Sequence, residues 1–271
     1  MPGFLSYPFF LFFLLLASLR RIESRARLRV FALGGAGLLL LSAPRILDGL
    51  LSAQALALLA QILPAPLMLV AYWQAGQFFV APWAELQSWL SRLDSEWFGG
   101  VLKARREDKI PRWFLGYLEL TYALCYLVVP AALGCLFLLG RGDHAAAFWN
   151  IVLPPSYLCY ALLPFFQTLP PRAIEPETAA RLAAPLRIFN LWVLRHGSIH
   201  ANTFPSAHVA ASLSAALALL DVSGLAALIF LWIALSIAVA AALCRYHYVL
   251  DVLLGAVLAV LSFAFHLFFR N

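Results

Sequence analysis

Apolar residues run along this chain in blocks long enough to cross a membrane, separated by short polar connectors. The clearest block, Leu225 to Leu243, carries no charge. A helix needs about 20 apolar residues to span the hydrocarbon core of a bilayer. Further blocks of that order run from Leu115 to Leu139, Ala146 to Leu169, Phe204 to Leu220 and Tyr248 to Phe269. Upstream, Phe4 to Leu19, Val30 to Ser42 and Leu50 to Val80 are also apolar. Pro44-Arg45 and Pro64-Ala65-Pro66 break this stretch, because proline lacks an amide and its ring clashes with the preceding turn. Two spans with a kink or a re-entrant piece are expected there. The run Phe4 to Leu19 has no positive residue before it and no small-residue cleavage site after it, so it reads as a retained anchor rather than a removed signal.

The pattern changes between Pro82 and Arg112. Trp83, Leu86, Trp89, Leu90, Leu93, Trp97 and Phe98 recur at helical spacing among Glu85, Arg92, Asp94 and Glu96. This predicts an amphipathic helix lying in the membrane interface, followed by a solvated basic turn from Lys103 to Arg112. A second basic connector, with Arg20, Arg21, Arg25, Arg27 and Arg29, follows the first apolar run. The longest late connector runs from Pro170 to Thr203. No repeat, low-complexity tract or soluble domain interrupts the pattern.

Composition fits lipid as the solvent. Of 271 residues, 63% are hydrophobic and 12% charged, against about 25% charged in an ordinary soluble domain. The net charge of +6 comes from arginines that flank apolar runs, where they meet anionic head groups. Membrane lipids are therefore the expected partners and nucleic acid is not. Cys125, Cys135, Cys159 and Cys244 lie in or at the ends of apolar runs without zinc-site spacing, and read as buried thiols. The positive-inside rule places both basic connectors in the cytoplasm. The abundance of Ala, Leu and Arg suggests a bacterial plasma membrane. No pattern along the chain bears on oligomeric state.

Alternation of the spans brings three polar segments to one membrane face, because they are separated by zero or two crossings. The first is Phe166-Gln167-Thr168-Leu169-Pro170-Pro171-Arg172, where the guanidinium of Arg172 offers a permanent fork of donors to a phosphate. The second is Thr203-Phe204-Pro205-Ser206-Ala207-His208. Proline suits a first helical turn and Asn202 or Thr203 can cap it, which puts Ser206 and His208 at an anion-attracting helix start. The third is Cys244-Arg245-Tyr246-His247-Tyr248-Val249-Leu250-Asp251. His247 and Asp251, four apart, share a helix face, so the carboxylate can hold one imidazole nitrogen and make the other more basic. Ionisable side chains at a span are costly in lipid, so this pair is a functional candidate.

In this order, the three segments resemble the type 2 phosphatidic acid phosphatase superfamily, and the resemblance covers about the last 200 residues. Its Pro-Ser-x-His motif is matched at Pro205, Ser206 and His208, and its His-x-x-x-Asp motif at His247 and Asp251. The stretch Asp94 to Gly100 (Asp-x-x-x-Phe-Gly-Gly) looks like the interfacial helix of the inositol phosphorylceramide synthase branch. The resemblance implies an all-α, polytopic transmembrane bundle with a six-helix catalytic core, an interfacial helix and extra N-terminal membrane segments. Residues 1–56 would form those N-terminal anchor segments, and residues 57–271 the catalytic membrane domain. It further implies that His247 attacks phosphorus, His208 protonates the leaving oxygen and Asp251 orients His247. Arg172, Ser206 and Arg245 are the candidate phosphate contacts, and no metal or other cofactor is implied. Two departures stand out. The first segment reads Pro170-Pro171-Arg172 with no nearby lysine, as in the synthase-like branch. Ala241 stands where an arginine would precede the nucleophilic histidine by six.

Three functions follow as expectations. The first is a lipid phosphate phosphatase working through a phosphohistidine. The second is a phosphotransferase that passes the phospho group to a lipid or sugar alcohol. The third, of another class, is a non-catalytic transporter or lipid-binding protein of the same fold. His196 and His200, four apart, are weak metal candidates and are expected to be solvated. Glu119, near the start of a span, is expected to snorkel to the interface. The span count places the site on the face of the basic connectors, whereas relatives usually work on the opposite face.

Overall fold

The computed structural model describes residues 5–20, 22–106, 109–175 and 185–270. Expectations for Phe4, Arg21, residues 107–108 of the basic turn and residues 176–184 of the late connector fall outside them. The chain is all-α, and no strand forms among the described residues. Its helices are α1 (Ser6–Leu19), α2 (Ser24–Ile46), α3 (Ala53–Ile62), α4 (Pro64–Gly76), α5 (Ala84–Arg106), α6 (Arg112–Ala123), α7 (Val128–Leu138) and α8 (Ala145–Leu162). They continue with α9 (Pro171–Ile174), α10 (Pro185–Gly197), α11 (Ala207–Ala218), α12 (Gly224–Leu243) and α13 (Val249–Arg270).

Five stretches are long and apolar enough to cross a membrane: Ser24–Ile46, Ala53–Gly76, Gly142–Leu162, Gly224–Leu243 and Val249–Arg270. The block expected as one span from Leu115 to Leu139 is a bent pair, α6 and α7, meeting at 68°. Pro64 opens α4 rather than ending a span, since a first-turn proline sacrifices no intrahelical bond. Pro44 sits in the last turn of α2, where the helix is already ending. The amphipathic helix α5 runs on to Arg106 and takes in Lys103, which the sequence pattern assigns to the turn beyond it.

The bundle is built around α11. This helix is only 12 residues long, and Ala, Ser and Val make up most of its surface. Small side chains let neighbouring backbones come close, so a thin helix can be enclosed on all sides. α7, α8, α12 and α13 surround it. Gly255 on α13 marks the closest approach, because a Cβ there would lie 2.5 Å from the Ser206 carbonyl oxygen. α1 and α2 form a hairpin against α4. Gly37 makes room for the Phe10 ring and Gly34 for Leu14. The α1 ring of Phe9 stacks on Tyr157 of α8 at 4.4 Å, so the N-terminal helices share the main core.

Backbone pairing fixes the three polar segments at one face. Asn202 N–H donates to the Thr168 carbonyl at 2.8 Å, Arg172 N–H to the Arg245 carbonyl at 2.9 Å and Ser206 N–H to the Asp251 carbonyl at 3.0 Å. The Arg20 guanidinium donates to the Pro164 carbonyl at 3.0 Å, which brings the basic connector to that face as well. At the far end, Arg270 pairs with Asp221.

Candidate active site

The start of α11 and the turn between α12 and α13 bring two imidazoles together. The ring centroids of His208 and His247 lie 5.9 Å apart at 75°, close enough for one phosphoryl group to touch both. His208 also meets the rings of Tyr122 at 5.9 Å and Tyr126 at 5.5 Å edge-on. These contacts set its orientation without using a ring nitrogen. α11 begins at Ala207, two residues later than the sequence suggests, because Ser206 takes the extended backbone of an N-cap and leaves Pro205 outside the helix. Ser206 is the N-cap and accepts from Val209 N–H at 3.5 Å, while Thr203 Oγ1 accepts from Ala207 N–H at 3.3 Å. Ser206 is therefore occupied in capping, and it does not line the cavity described below.

His247 Nδ1 lies 3.4 Å from Asp251 Oδ2, the i, i+4 contact expected from the spacing. The same oxygen accepts from Asn202 Nδ2 at 2.7 Å and from Tyr248 N–H at 3.1 Å. Asn202 Nδ2 also donates to Thr168 Oγ1 at 3.0 Å, so all three segments meet at one carboxylate. His247 lies outside the spans, and its imidazole is pushed down to about 3, first by burial and then by the Arg172 guanidinium. Burial thus overrides the gain in basicity expected from Asp251. The ring stays neutral at neutral pH, with Nδ1 turned to the carboxylate and Nε2 available as a lone-pair donor.

Arg172 donates through its side chain to the Tyr246 carbonyl at 3.1 Å and faces the same cavity as the two histidines. Arg245 is placed differently. Its φ of +61° turns the chain sharply out of α12, a conformation that costs a non-glycine residue about 1–2 kcal/mol. Its guanidinium reaches Glu175 at 2.7 and 3.2 Å and forms a short contact with Asp94. Arg245 does not line the cavity. Asp94 also accepts from Val249 N–H at 3.0 Å, tying the amphipathic helix α5 to the start of α13. Ala241 presents its carbonyl to the N–H groups of both Tyr246 and His247, each at 2.9 Å.

The cavity holds about 400 Å³. Arg172, His208 and His247 form its polar end, while Met68 and Tyr72 of α4 and Val129 of α7 belong to its longer apolar walls. Its rim residues Leu69, Trp73 and Tyr126 are exposed on the side of the bundle. His196 lies on the surface of α10, with Nδ1 2.8 Å from the Trp192 carbonyl oxygen. Among the described residues, no three His, Cys, Asp or Glu side chains gather in metal-ligating geometry.

A model of the PAP2 superfamily matches residues 88–265. The chain belongs to the PAP2 superfamily. Comparison with curated proteins and with solved structures gives no match. PAP2 membership supports phosphatase-type activity, and together with the apolar helices it makes this a membrane protein. The match takes in Asp94, Arg172, His208, His247 and Asp251 and begins inside α5. α4 lies outside it, although it contributes a wall of the cavity.

Sequence reasoning missed several residues of this PAP2 site. Glu119 does not snorkel. It is 1% exposed and accepts from Arg187, Asn190 and Tyr246. Asn202 was assigned to capping but bridges Asp251 and Thr168. Gly255 left one legible signal, since it lies four residues after Asp251 and so presents a small side on the same helix face.

Proposed function

We propose that this PAP2 protein cleaves a phosphomonoester or diphosphate carried on a lipid, through a phosphohistidine and without a metal. The observation that carries the reading is the facing pair His208 and His247, with Arg172 at the polar end of a cavity whose other walls are apolar. Arg172 and the two imidazoles suit the head group, and the walls from α4 and α7 suit an acyl or prenyl chain. The exposed rim of Leu69, Trp73 and Tyr126 favours a substrate arriving from the membrane.

In this reading, the His247 Nε2 lone pair forms a bond to phosphorus as the bond from phosphorus to the leaving oxygen breaks. Asp251 keeps the proton on Nδ1, so that the attacking nitrogen is the one facing the cavity. The bound phosphate dianion favours the protonated form of His208, which gives its proton to the leaving oxygen. His208 then takes a proton from water, the new oxygen–phosphorus bond forms, the nitrogen–phosphorus bond breaks, and phosphate leaves. Arg172 balances charge on the phosphoryl oxygens throughout. Ser206 and Arg245 shape the frame and do not touch phosphate. A lipid or sugar alcohol in place of water would make the same site a phosphotransferase, a reading favoured by the Pro170-Pro171-Arg172 segment with no lysine beside it.

The test is phosphate release from a panel of phosphatidate, polyprenyl diphosphate, phosphatidylglycerol phosphate and sphingoid phosphate in mixed micelles containing chelator. The expected result is release that survives chelation and disappears in His247→Ala. Release that persists in His247→Ala contradicts the mechanism, and loss of wild-type activity in chelator contradicts metal independence. Product analysis with candidate alcohols separates hydrolysis from transfer.

A further inference from the structure

We infer that a buried polar cluster on α6 and α10 positions the catalytic turn, with Glu119 and Arg187 acting through Tyr246 on both His247 and Arg172. The inference rests on the reading of His247 and Arg172 given above. Glu119 and Arg187 are each 1% exposed and pair at 3.2 Å. A buried ion pair is weak evidence for stability, because the desolvation of both ions offsets much of their attraction. Its neighbours suggest what this one does.

Glu119 Oε2 accepts from the Tyr246 hydroxyl at 2.6 Å and from Asn190 Nδ2 at 2.8 Å. The Tyr246 ring stacks on Tyr122 at 3.5 Å with only 5° between the planes. The Arg187 guanidinium lies 4.6 Å from the Tyr246 ring centroid and donates to the Cys244 carbonyl at 3.0 Å. Tyr246 is thus gripped by stacking, by a cation and by a charged hydrogen bond, which leaves its side chain a single placement.

The backbone of Tyr246 carries that placement to the chemistry. Its carbonyl receives the Arg172 side chain at 3.1 Å, and the preceding carbonyl of Arg245 receives the Arg172 N–H at 2.9 Å. The next residue is His247. One rigid residue therefore sets the distance between the phosphate-binding arginine and the nucleophile. Glu119 and Arg187 reach neither phosphate nor His247 and are positioning residues. The sequence hides the link, since residues 119, 187 and 246 are far apart and Glu119 alone looks like a span-end carboxylate.

Tyr246→Phe is the mild test, because it removes one hydroxyl and keeps the stack. Glu119→Gln is the stronger one, because it keeps the shape but puts an amide where Arg187, Asn190 and Tyr246 need an acceptor. Each is compared with wild type and His247→Ala in full-length, detergent-solubilised protein. Three quantities are read: kcat per folded molecule, orthovanadate affinity from the shift in unfolding temperature, and the unfolding temperature without ligand. The expected result for Tyr246→Phe is a fall of about tenfold in both kcat and vanadate affinity, as for loss of one hydrogen bond to a charged group. Glu119→Gln should lose more of both. A lowered unfolding temperature with wild-type kcat and vanadate affinity overturns the inference and leaves the cluster a packing feature. Vanadate binding needs no turnover, so it tests positioning even where phosphate release fails. Release that survives in His247→Ala rejects the catalytic reading instead.

Discussion

Gly255→Ala is a one-methyl perturbation whose effect can be worked from the geometry. The added Cβ would lie 2.5 Å from the Ser206 carbonyl oxygen, whereas ordinary contact begins at 3.4 Å. Both partners are backbone, so no side chain can swing away. α13 and the start of α11 must part by roughly 0.9 Å in a close-packed interior. The movement strains the Ser206 N–H to Asp251 carbonyl bond, now 3.0 Å, and separates the element carrying Asp251 from the one carrying His208. Overpacking of this kind costs about 1–3 kcal/mol of stability, and a misplacement near 1 Å costs about 100-fold in rate. The assay is kcat for phosphate release in mixed micelles, normalised to folded protein by size exclusion. Gly134→Ala on α7 is the control, because a Cβ there meets nothing within 4 Å. The expected outcome is a folded Gly255→Ala protein with kcat down by about two orders of magnitude and Gly134→Ala near wild type. A folded Gly255→Ala protein with wild-type kcat would refute the claim that this close approach sets the two histidines.

Two further outcomes follow from the carboxylate and from the neutral ring. Asp251→Asn keeps the volume but removes the charge that accepts from His247, Asn202 and Tyr248. It should lower kcat by about 10⁴-fold, as expected when a histidine loses the carboxylate that fixes its tautomer. Vanadate affinity should change little, and turnover near the wild-type rate would contradict the role. His247 titrates at 6.5 in an unperturbed chain and at about 3 when folded. Between those values the unfolded state takes up a proton that the folded state refuses, so stability rises with pH. The contribution is fully present above pH 6.5 and is lost as the pH falls toward 3. Unfolding temperatures measured across that window should show a slope about one proton shallower in His247→Gln, and equal slopes would contradict a buried neutral ring.

The sequence and the structure agree where a single periodicity decides the matter. Long uniform apolar blocks and the amphipathic stretch at Pro82 to Arg112 each carry one helical reading, so the helices they form were legible. The gathering of Arg172, His208 and His247 around one cavity was legible too, from the order of the three polar segments and the alternation of apolar blocks between them, although α11 is shorter than the block it comes from. Features that depend on contacts between distant residues were not. The bend between α6 and α7 falls one turn before Pro130, whose ring excludes the Tyr126 carbonyl from the helix, but a hydropathy pattern runs straight through it. The roles of Glu119, Asp94 and Arg245 depend on which buried charges meet, and spacing within one helix does not encode that. Arg245 illustrates the difference: a basic residue two before His247 reads as a phosphate ligand until Asp94 and Glu175 are seen around it. α11 was legible as apolar, but its central place follows from small side chains, which a hydropathy pattern counts like any others.

The account stands most directly on a covalent bond to one nitrogen. Wild-type protein mixed with a phosphate-labelled lipid substrate is quenched in alkali during turnover, digested and mapped by mass spectrometry. The predicted result is a phosphoryl group on His247, formed and lost on the timescale of turnover and missing from His247→Ala. Steady release of phosphate with no phosphorylated histidine, or with the label on another residue, would contradict it.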